Sequence, residues 1–283
     1  MTWILSAFGV IIFFSLMYIF IRSSRTKIEV EVQTFSIFVI GTIFYFIYNI
    51  LMNISFSIDL TYLLLILLTA ALFSLTANFL SFKAMSLAPN PGYSLMITKS
   101  HAILTMILAN IFFQSEITLK NSIAIFIVLL SLGISLTSKK ENKNSKQIWI
   151  VYALIAFFAF AFQSIMLTFL TRNNLEISLI NFYLFFFLML FMGCILFYKK
   201  IKIDLTKQKL TLMVGMGISS ALGNLFMVLG FSIAPNPGYI SAASASTASL
   251  MMILSYFIFK DQLTSRKIIG AIGVTIGLIL LFI

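Results

Sequence analysis

Ala-Pro-Asn-Pro-Gly-Tyr occurs at Ala88–Tyr93 and again at Ala234–Tyr239, and this repeated hexapeptide decides how the fold is interpreted. The copies begin 146 residues apart, at 88 and 234, in a chain of 283 residues. The same offset pairs other identical residues along the chain: Trp3 with Trp149, Asn78 with Asn224, Phe113 with Phe259 and Thr118 with Thr264. One offset that holds over so much sequence predicts a duplicated unit.

The composition predicts a membrane protein that crosses the bilayer many times. The chain is 61% hydrophobic and 10% charged, whereas a soluble domain carries about a quarter charged residues. Its net charge of +11 arises from basic residues in short loops, where they orient membrane proteins. We therefore expect no nucleic-acid partner.

Ten apolar segments are long enough to span a bilayer, which needs about 20 residues per helix. They are Thr2–Ile21, Thr34–Met52, Thr61–Leu87, Pro91–Phe113, Leu119–Ser138, Ile148–Thr171, Ile177–Tyr198, Leu210–Ile233, Pro237–Phe259 and Thr264–Ile283. An odd number of spans per unit inverts the second copy in the membrane. The sequence thus predicts an all-α integral membrane fold of two inverted five-helix repeats, 1–138 and 148–283, joined by a cytoplasmic linker, 139–147.

Loop charges predict the orientation of these helices. Fifteen of the 19 basic residues lie in odd-numbered loops. The others are Lys120 and Arg172 in even loops, and Lys83 and Lys99 within predicted helices. The positive-inside rule then places the odd loops in the cytoplasm and both termini on the outer side of the cytoplasmic membrane.

The repeated hexapeptide predicts the end of one helix followed by the start of the next. Pro89 disfavours continuation of the preceding helix, Asn90 suits an N-cap, and Pro91 suits the first helical position. The second copy repeats these residues at 235–237. Each copy therefore predicts an antiparallel helix hairpin, and we favour this structural role over a direct substrate contact.

Small residues recur on later helices at spacings that allow close packing. They are Gly215, Ser219 and Gly223 on the eighth predicted helix, and Gly273 and Gly277 on the tenth. The ninth carries the Ser/Thr/Ala-rich stretch 241–249, which suits either helix packing or a polar cavity wall.

The chain resembles the drug/metabolite transporter superfamily in its ten-helix, EamA-like branch. The matching features in the first half are the turn Pro89–Gly92, Glu116 with Thr118, and Gly133. Those in the second half are the turn Pro235–Gly238, Asp261–Thr264, and Gly270, Gly273 and Gly277. Family members usually carry a glutamate where Glu116 stands, whereas its repeat counterpart is Gln262. The resemblance implies a central cavity between the inverted halves, lined by the third, fourth, eighth and ninth helices, with alternating access.

Three ionisable residues fall within predicted helices, where a charge is costly and functional by default: Lys83, Lys99 and His101. No carboxylate does, so the balance favours a substrate with an anionic group. Lys99 is the best candidate, because it lies about 12 Å into its helix and its repeat counterpart is Ala245. The alternative is a packing lysine that bonds to carbonyls.

His101 lies about 200° around the helix from Lys99, so the two cannot both face one narrow cavity. It shares a stripe with Ser94, Thr98 and Thr105, which could line the cavity or form helix–helix hydrogen bonds. Lys83 is close enough to the loop at Pro89 to extend its ammonium there.

Further candidates for substrate binding are polar residues on predicted helices: Asn78, Asn224, Thr98, Ser244 and Thr247. Weaker candidates are Gln163 and the aromatic residues Tyr45, Tyr48, Tyr93 and Tyr239. Asn78 and Asn224 could equally hold helices together. One cysteine (Cys194), one histidine and the absence of an HExxH or Walker-type sequence predict no catalytic residues, metal, cofactor or ATP site.

We therefore expect a secondary transporter that moves a small metabolite, such as an amino acid or another compound with an anionic group. Its partners would be this metabolite, the lipid bilayer, and a proton or counter-substrate, in a monomer or homodimer. The alternatives are a multidrug exporter of cationic compounds and a non-transporting channel or membrane scaffold. An intramembrane enzyme lacks a credible catalytic set.

Overall fold

A computed structural model describes residues 2–24, 27–88, 91–136, 148–260 and 264–283, and their regular structure is entirely helical. It comprises α1 (Trp3–Ser24), α2 (Val30–Leu51), α3 (Leu60–Leu68), a π-helical segment (Thr69–Ser74), α4 (Leu75–Leu87), α5 (Pro91–Lys99), α6 (His101–Phe113), α7 (Leu119–Leu136), α8 (Ile148–Arg172), α9 (Ile177–Lys199), α10 (Lys207–Ile233), α11 (Pro237–Phe259) and α12 (Ser265–Phe282). The predicted all-α membrane fold is confirmed.

The helices fall where the ten spans were predicted, with ends that differ by a few residues. Within the described ranges, nine stretches are long and apolar enough to cross a membrane, and α7 is a shorter apolar helix. The third span combines α3, the π-helical segment and α4, and the fourth combines α5 and α6. The linker 139–147, Pro89, Asn90, Asp261, Gln262 and the side chain of Tyr93 lie outside the described residues, so the division into two domains stays a prediction.

Two predicted helices are interrupted. The third contains the π-helical segment Thr69–Ser74, and the fourth breaks at Ser100, where ψ is −9°. At this break the Ser100 hydroxyl donates to the Met96 carbonyl at 2.7 Å, and His101 Nδ1 lies 2.8 Å from the Thr98 carbonyl. Side chains that compete for helical carbonyls disturb the helix. The counterparts α10 and α11 are continuous, so the interruptions belong to the first half.

Helix contacts occur in pairs that the 146-residue offset relates. In the first half α1 packs on α10 and α11, and in the second α8 packs on α4 and on α5 and α6. In three further pairs a helix packs on its own repeat counterpart: α2 on α9, α7 on α12, and α6 on α11. An inverted repeat would produce this pairing.

The small residues of α10 and α12 pack as predicted. A Cβ atom at Gly223 would lie 2.5 Å from the Phe14 ring of α1, and one at Gly215 would lie 2.7 Å from Phe20. At Gly277 the nearest atoms belong to α7, including the Ala124 carbonyl oxygen at 3.0 Å. These glycines let α1 and α10, and α7 and α12, approach closely.

Candidate functional site

The second hexapeptide both starts a helix and joins the two halves. Asn236 Oδ1 accepts a hydrogen bond from the Gly238 N–H at 2.8 Å, which confirms the predicted N-cap. Its Nδ2 donates to the carbonyls of Met106, at 3.2 Å, and Glu116, at 3.3 Å. The Tyr239 hydroxyl also donates to the Glu116 carbonyl, at 3.0 Å. The start of α11 is therefore bonded to α6 and the loop that follows it.

Gly238 makes this contact possible. A Cβ atom there would lie 2.8 Å from Cα and 2.9 Å from the backbone nitrogen of Met106. Backbone atoms cannot rotate away as a side chain can, so α11 could not sit this close to α6 with any larger residue. Tyr239, a predicted candidate for substrate binding, is 1% exposed, and its hydroxyl is bonded within this contact.

At the same end of the bundle, an arginine of α8 contacts the end of α6. Arg172, in the last turn of α8, donates to the Phe113 carbonyl at 3.3 Å and to the Ser115 hydroxyl at 3.1 Å. Its guanidinium carbon lies 4.8 Å from the centroid of the Phe113 ring, within cation–π range. We call Arg172, Phe113 and Ser115 the Arg172 latch; it ties α8 to the end of α6.

A second latch occupies the repeat-related position at the other end. Arg22, in the last turn of α1, places its guanidinium carbon 4.5 Å from the centroid of the Phe259 ring. Phe259 is the repeat counterpart of Phe113, and α1 and α8 are counterparts as the first and sixth spans. We call Arg22 and Phe259 the Arg22 latch. Sequence reasoning noted the matched phenylalanines but missed both arginines as their partners.

Lys99 is the last residue of α5 and is half-buried. Its ammonium forms no hydrogen bond or ion pair within the described part of the chain. One turn earlier, Met96 packs against Gly133 of α7, with Sδ 2.8 Å from a Cβ position there. Residues three apart share a helix face, so Lys99 lies on the α7 side of α5.

His101 faces another helix, as the predicted rotation requires. It is 6% exposed, and its ring centroid lies 5.3 Å from that of Phe160 in α8. Of its stripe, Thr98 donates to the carbonyls of Ser94 and Leu95, both at 3.1 Å. The buried hydroxyls of Ser94 and Thr105 find no hydrogen-bond partner among the described residues. The stripe therefore faces α8, on the side of α5 and α6 away from Lys99.

Two other candidates for substrate binding, Lys83 and Gln163, lie against or within α8. Lys83 places Nζ 4.7 Å from the centroid of the Tyr152 ring in that helix, so it is held by a cation–π contact. Gln163 is half-buried and lies one turn after Phe160, whose ring contacts that of His101.

Asn78 and Asn224 make the same bond in each half. Asn78 Nδ2 donates to the Ser74 carbonyl at 2.8 Å, and Asn224 Nδ2 donates to the Ser220 carbonyl at 2.9 Å. Ser74 and Ser220 are themselves related by the 146-residue offset. These nitrogen atoms serve their own helices, not the interhelical bonds that we had considered, and both side chains remain half-buried.

The Ser/Thr-rich part of α11 is a packing surface. Residues 236–247, which include Ser244 and Thr247, are all buried, and the Thr247 hydroxyl donates to the Ser244 carbonyl at 2.7 Å. Tyr45 is likewise structural, since its hydroxyl donates to the Ala221 carbonyl at 2.6 Å, and Tyr48 stacks on Phe44. Of the two interpretations of this stretch, the arrangement favours packing.

The described carboxylates lie in loops or at helix ends. Within the residues that the structure describes, no Asp or Glu side chain is buried. Glu31, at the start of α2, is paired with Lys199 at 2.7 Å. The charged groups in the interior of the described spans are therefore cationic.

Nine stretches of the described ranges that are long and apolar enough to cross a membrane, with polar groups placed inside them, define a multi-pass membrane protein. Residues 147–283 match the model of the EamA-like transporter family, so the second half of the chain is an EamA-like domain and the resemblance to this branch is confirmed. A crystal structure of a protein with 11% sequence identity has the same fold, with a TM-score of 0.83 over 99% of this chain and 98% of the other. No curated protein matches the sequence. Members of this family are transporters, and the match to the second half of the chain suggests a membrane transporter of small compounds.

Proposed function

We propose that the chain is a secondary transporter that moves a small metabolite with an anionic group, such as an amino acid, across the cytoplasmic membrane. The observation that carries this proposal is Lys99. Its ammonium lies in a membrane span without a hydrogen bond or ion pair in the described part of the chain. A charge in that position is costly unless a ligand compensates it.

The break at Ser100 adds to the attraction for an anion. Helix α6 begins at His101, two residues after Lys99, and the N-terminal end of a helix carries a partial positive charge. Broken helices in transporters direct such ends at anionic substrate groups. The repeat counterpart Ala245 is fully buried in an apolar cluster, so the scaffold itself does not require a lysine here.

A carrier of cationic drugs would need the opposite chemistry. Binding a cation inside the membrane favours a buried carboxylate, and within the described residues every Asp and Glu side chain is at least partly exposed. Within the described residues, the polar groups inside the spans are instead hydroxyls, neutral amides, His101 and the half-buried Lys99. An anionic substrate therefore fits this chain better than a cationic one.

Alternating access requires that the two ends of a transporter close and open separately, and each end of this chain has its own latch. The Arg172 latch holds α8 to α6 at one end, and the Arg22 latch holds α1 to α11 at the other. A cation–π contact contributes about 0.5–2 kcal/mol, and the Arg172 latch has two hydrogen bonds in addition, at 3.1 and 3.3 Å. We infer that each latch opens in turn. Because most basic loops adjoin the Arg22 end, that end faces the cytoplasm in our proposal, with both termini outside.

A transport screen tests the function. Purified protein is reconstituted in liposomes and offered labelled metabolites that carry a carboxylate or a phosphate, beside cationic dyes of similar size. Each is tested with and without a proton gradient, and with unlabelled compound inside. We expect saturable uptake of an anionic compound that a gradient or internal substrate accelerates. Saturable transport of cationic dyes alone would favour the exporter, and unsaturable conductance would favour the channel.

A further inference from the structure

A cavity of about 160 Å³ lies at the basic end of the bundle, between the α1–α2 loop and the α9–α10 loop. Its charged lining consists of Lys27, Lys202 and Lys209 with Glu29 and Asp204. We call this cavity the lysine pocket. No residue of α5 or α6 lines it, so it is distinct from the Lys99 region.

Ion pairing leaves the lysine pocket with free positive charge. Lys209 and Asp204 neutralise each other, with Nζ 2.6 Å from Oδ2. Lys27 and Lys202 are exposed, and their ammonium groups form no hydrogen bond or ion pair within the described residues. Two free lysines therefore face the single carboxylate of Glu29.

Two long helices start at the lysine pocket without a capping side chain. The N-cap residues are Glu29 for α2 and Thr206 for α10, and neither side chain bonds to its helix start. Their first-turn N–H groups and helix dipoles are left available to an anion. At the start of α3, the repeat counterpart of α10, Asp59 instead accepts from the Thr61 N–H at 2.8 Å. That bond holds the pKa of Asp59 below its ordinary value.

The inner wall of the lysine pocket is apolar. Val32 of α2 and Met213 of α10 are each 3% exposed and line it, together with Ile28. Both helices run from here into the membrane, so the pocket lies where lipid headgroups meet acyl chains. A ligand for this site would combine a negative headgroup with an apolar tail.

We propose that the lysine pocket binds the phosphate of an anionic phospholipid, with Lys27 and Lys202 as its ligands. Basic pockets between membrane helices on the cytoplasmic side are suited to such headgroups. The bound lipid would join the start of α2 to the start of α10 and hold the two halves together at this end. The proposal does not depend on which metabolite is carried.

Native mass spectrometry of the detergent-solubilised protein tests this site. The protein is mixed with phosphatidylglycerol or with phosphatidylcholine of the same acyl chains, and retained lipid is counted. We expect preferential retention of phosphatidylglycerol, reduced at least fivefold in Lys27→Gln/Lys202→Gln. Lys27→Arg/Lys202→Arg should retain it, as should Lys120→Gln, which removes an exposed lysine from the opposite end.

Three outcomes would overturn the proposal. One is equal retention of phosphatidylglycerol by the double glutamine variant, and another is equal retention of the two lipids by the unaltered protein. The third is displacement of phosphatidylglycerol by millimolar inorganic phosphate, which would assign the pocket to a soluble anion. If the double variant fails to fold, the single changes Lys27→Gln and Lys202→Gln decide, each with partial loss expected.

Discussion

The oxygen and the nitrogen of the Asn236 side-chain amide have different roles. Its oxygen caps α11, and its nitrogen bonds to carbonyls of Met106 and Glu116 in the other half. The cap follows from the local sequence Asn-Pro-Gly, so the sequence predicts it. The other bonds join residues far apart in the chain, and local pattern contains no information about such contacts.

Asn236→Ser separates these two roles, because serine can still cap the helix but cannot reach the other half. We expect a loss of about 0.5–1.5 kcal/mol from the hydrogen bonds. Asn236→Ala should lose about 1 kcal/mol more with the cap. Thermal unfolding in detergent should therefore rank the unaltered protein above the serine variant and the serine variant above the alanine variant. Equal stability of the serine variant and the unaltered protein would refute the role across the halves.

The candidate site was predictable in part. The 100° rotation per residue predicts that Lys99 and His101 lie on different faces. Met96, one turn before Lys99, contacts Gly133 of α7, and His101 contacts Phe160 of α8. The break at Ser100 was not predictable from periodicity. It depends on hydroxyl and imidazole groups that take over helical carbonyls, which apolar spacing does not record.

Helices of the two halves are built from matching sequence but differ in regularity. The third and fourth spans are interrupted, whereas α10 and α11 run unbroken. Hydropathy locates all of these spans, because an interrupted helix buries as many apolar residues as a continuous one. It does not register the π-helical segment Thr69–Ser74, which changes hydrogen bonding and not composition.

Helix packing through glycine can be tested on α12. Gly277→Ala brings a Cβ to 3.0 Å from the Ala124 carbonyl oxygen and the Val128 nitrogen, both backbone atoms of α7. Overpacking of this kind costs about 1–3 kcal/mol. Alanine also favours a helix over glycine by about 1 kcal/mol, so the net effect should be a lower melting temperature.

Gly193→Ala is the matched control, because its nearest neighbour is the Phe35 ring at 3.4 Å. A ring can shift where backbone cannot, so this variant should be as stable as the unaltered protein or more so. If both variants melt alike, close approach of α12 to α7 does not limit stability.

Within the described residues, an arginine latch lies at each end of the molecule, and the two are built on repeat-related phenylalanines. The arginines themselves are out of register, since the offset from Arg22 leads to Thr168, one helical turn before Arg172. A search for identical residues therefore finds Phe113 and Phe259 but not their partners. The repeat was predictable from sequence, while the latches needed the packing of α1 on α11 and of α8 on α6.

Removal of either arginine should loosen only the end of the molecule at which that arginine lies. In hydrogen–deuterium exchange, Arg172→Ala should speed exchange at residues 114–118 and 234–238, and Arg22→Ala should speed it near the end of α11. Loss of about 1–2 kcal/mol corresponds to a factor of about 5–30. Equal effects of either variant at both ends, or none at all, would contradict the assignment of one latch to each end.

Binding of the transported metabolite to Lys99→Ala tests the central claim most directly. Isothermal titration should show a Kd at least tenfold higher than for the unaltered protein, from loss of about 1.5–3 kcal/mol of charge-assisted hydrogen bonding. Lys99→Arg should recover part of the affinity, and Lys120→Ala, at the exposed start of α7, should bind normally. An unchanged Kd in folded Lys99→Ala would contradict the assignment of Lys99 to the substrate site.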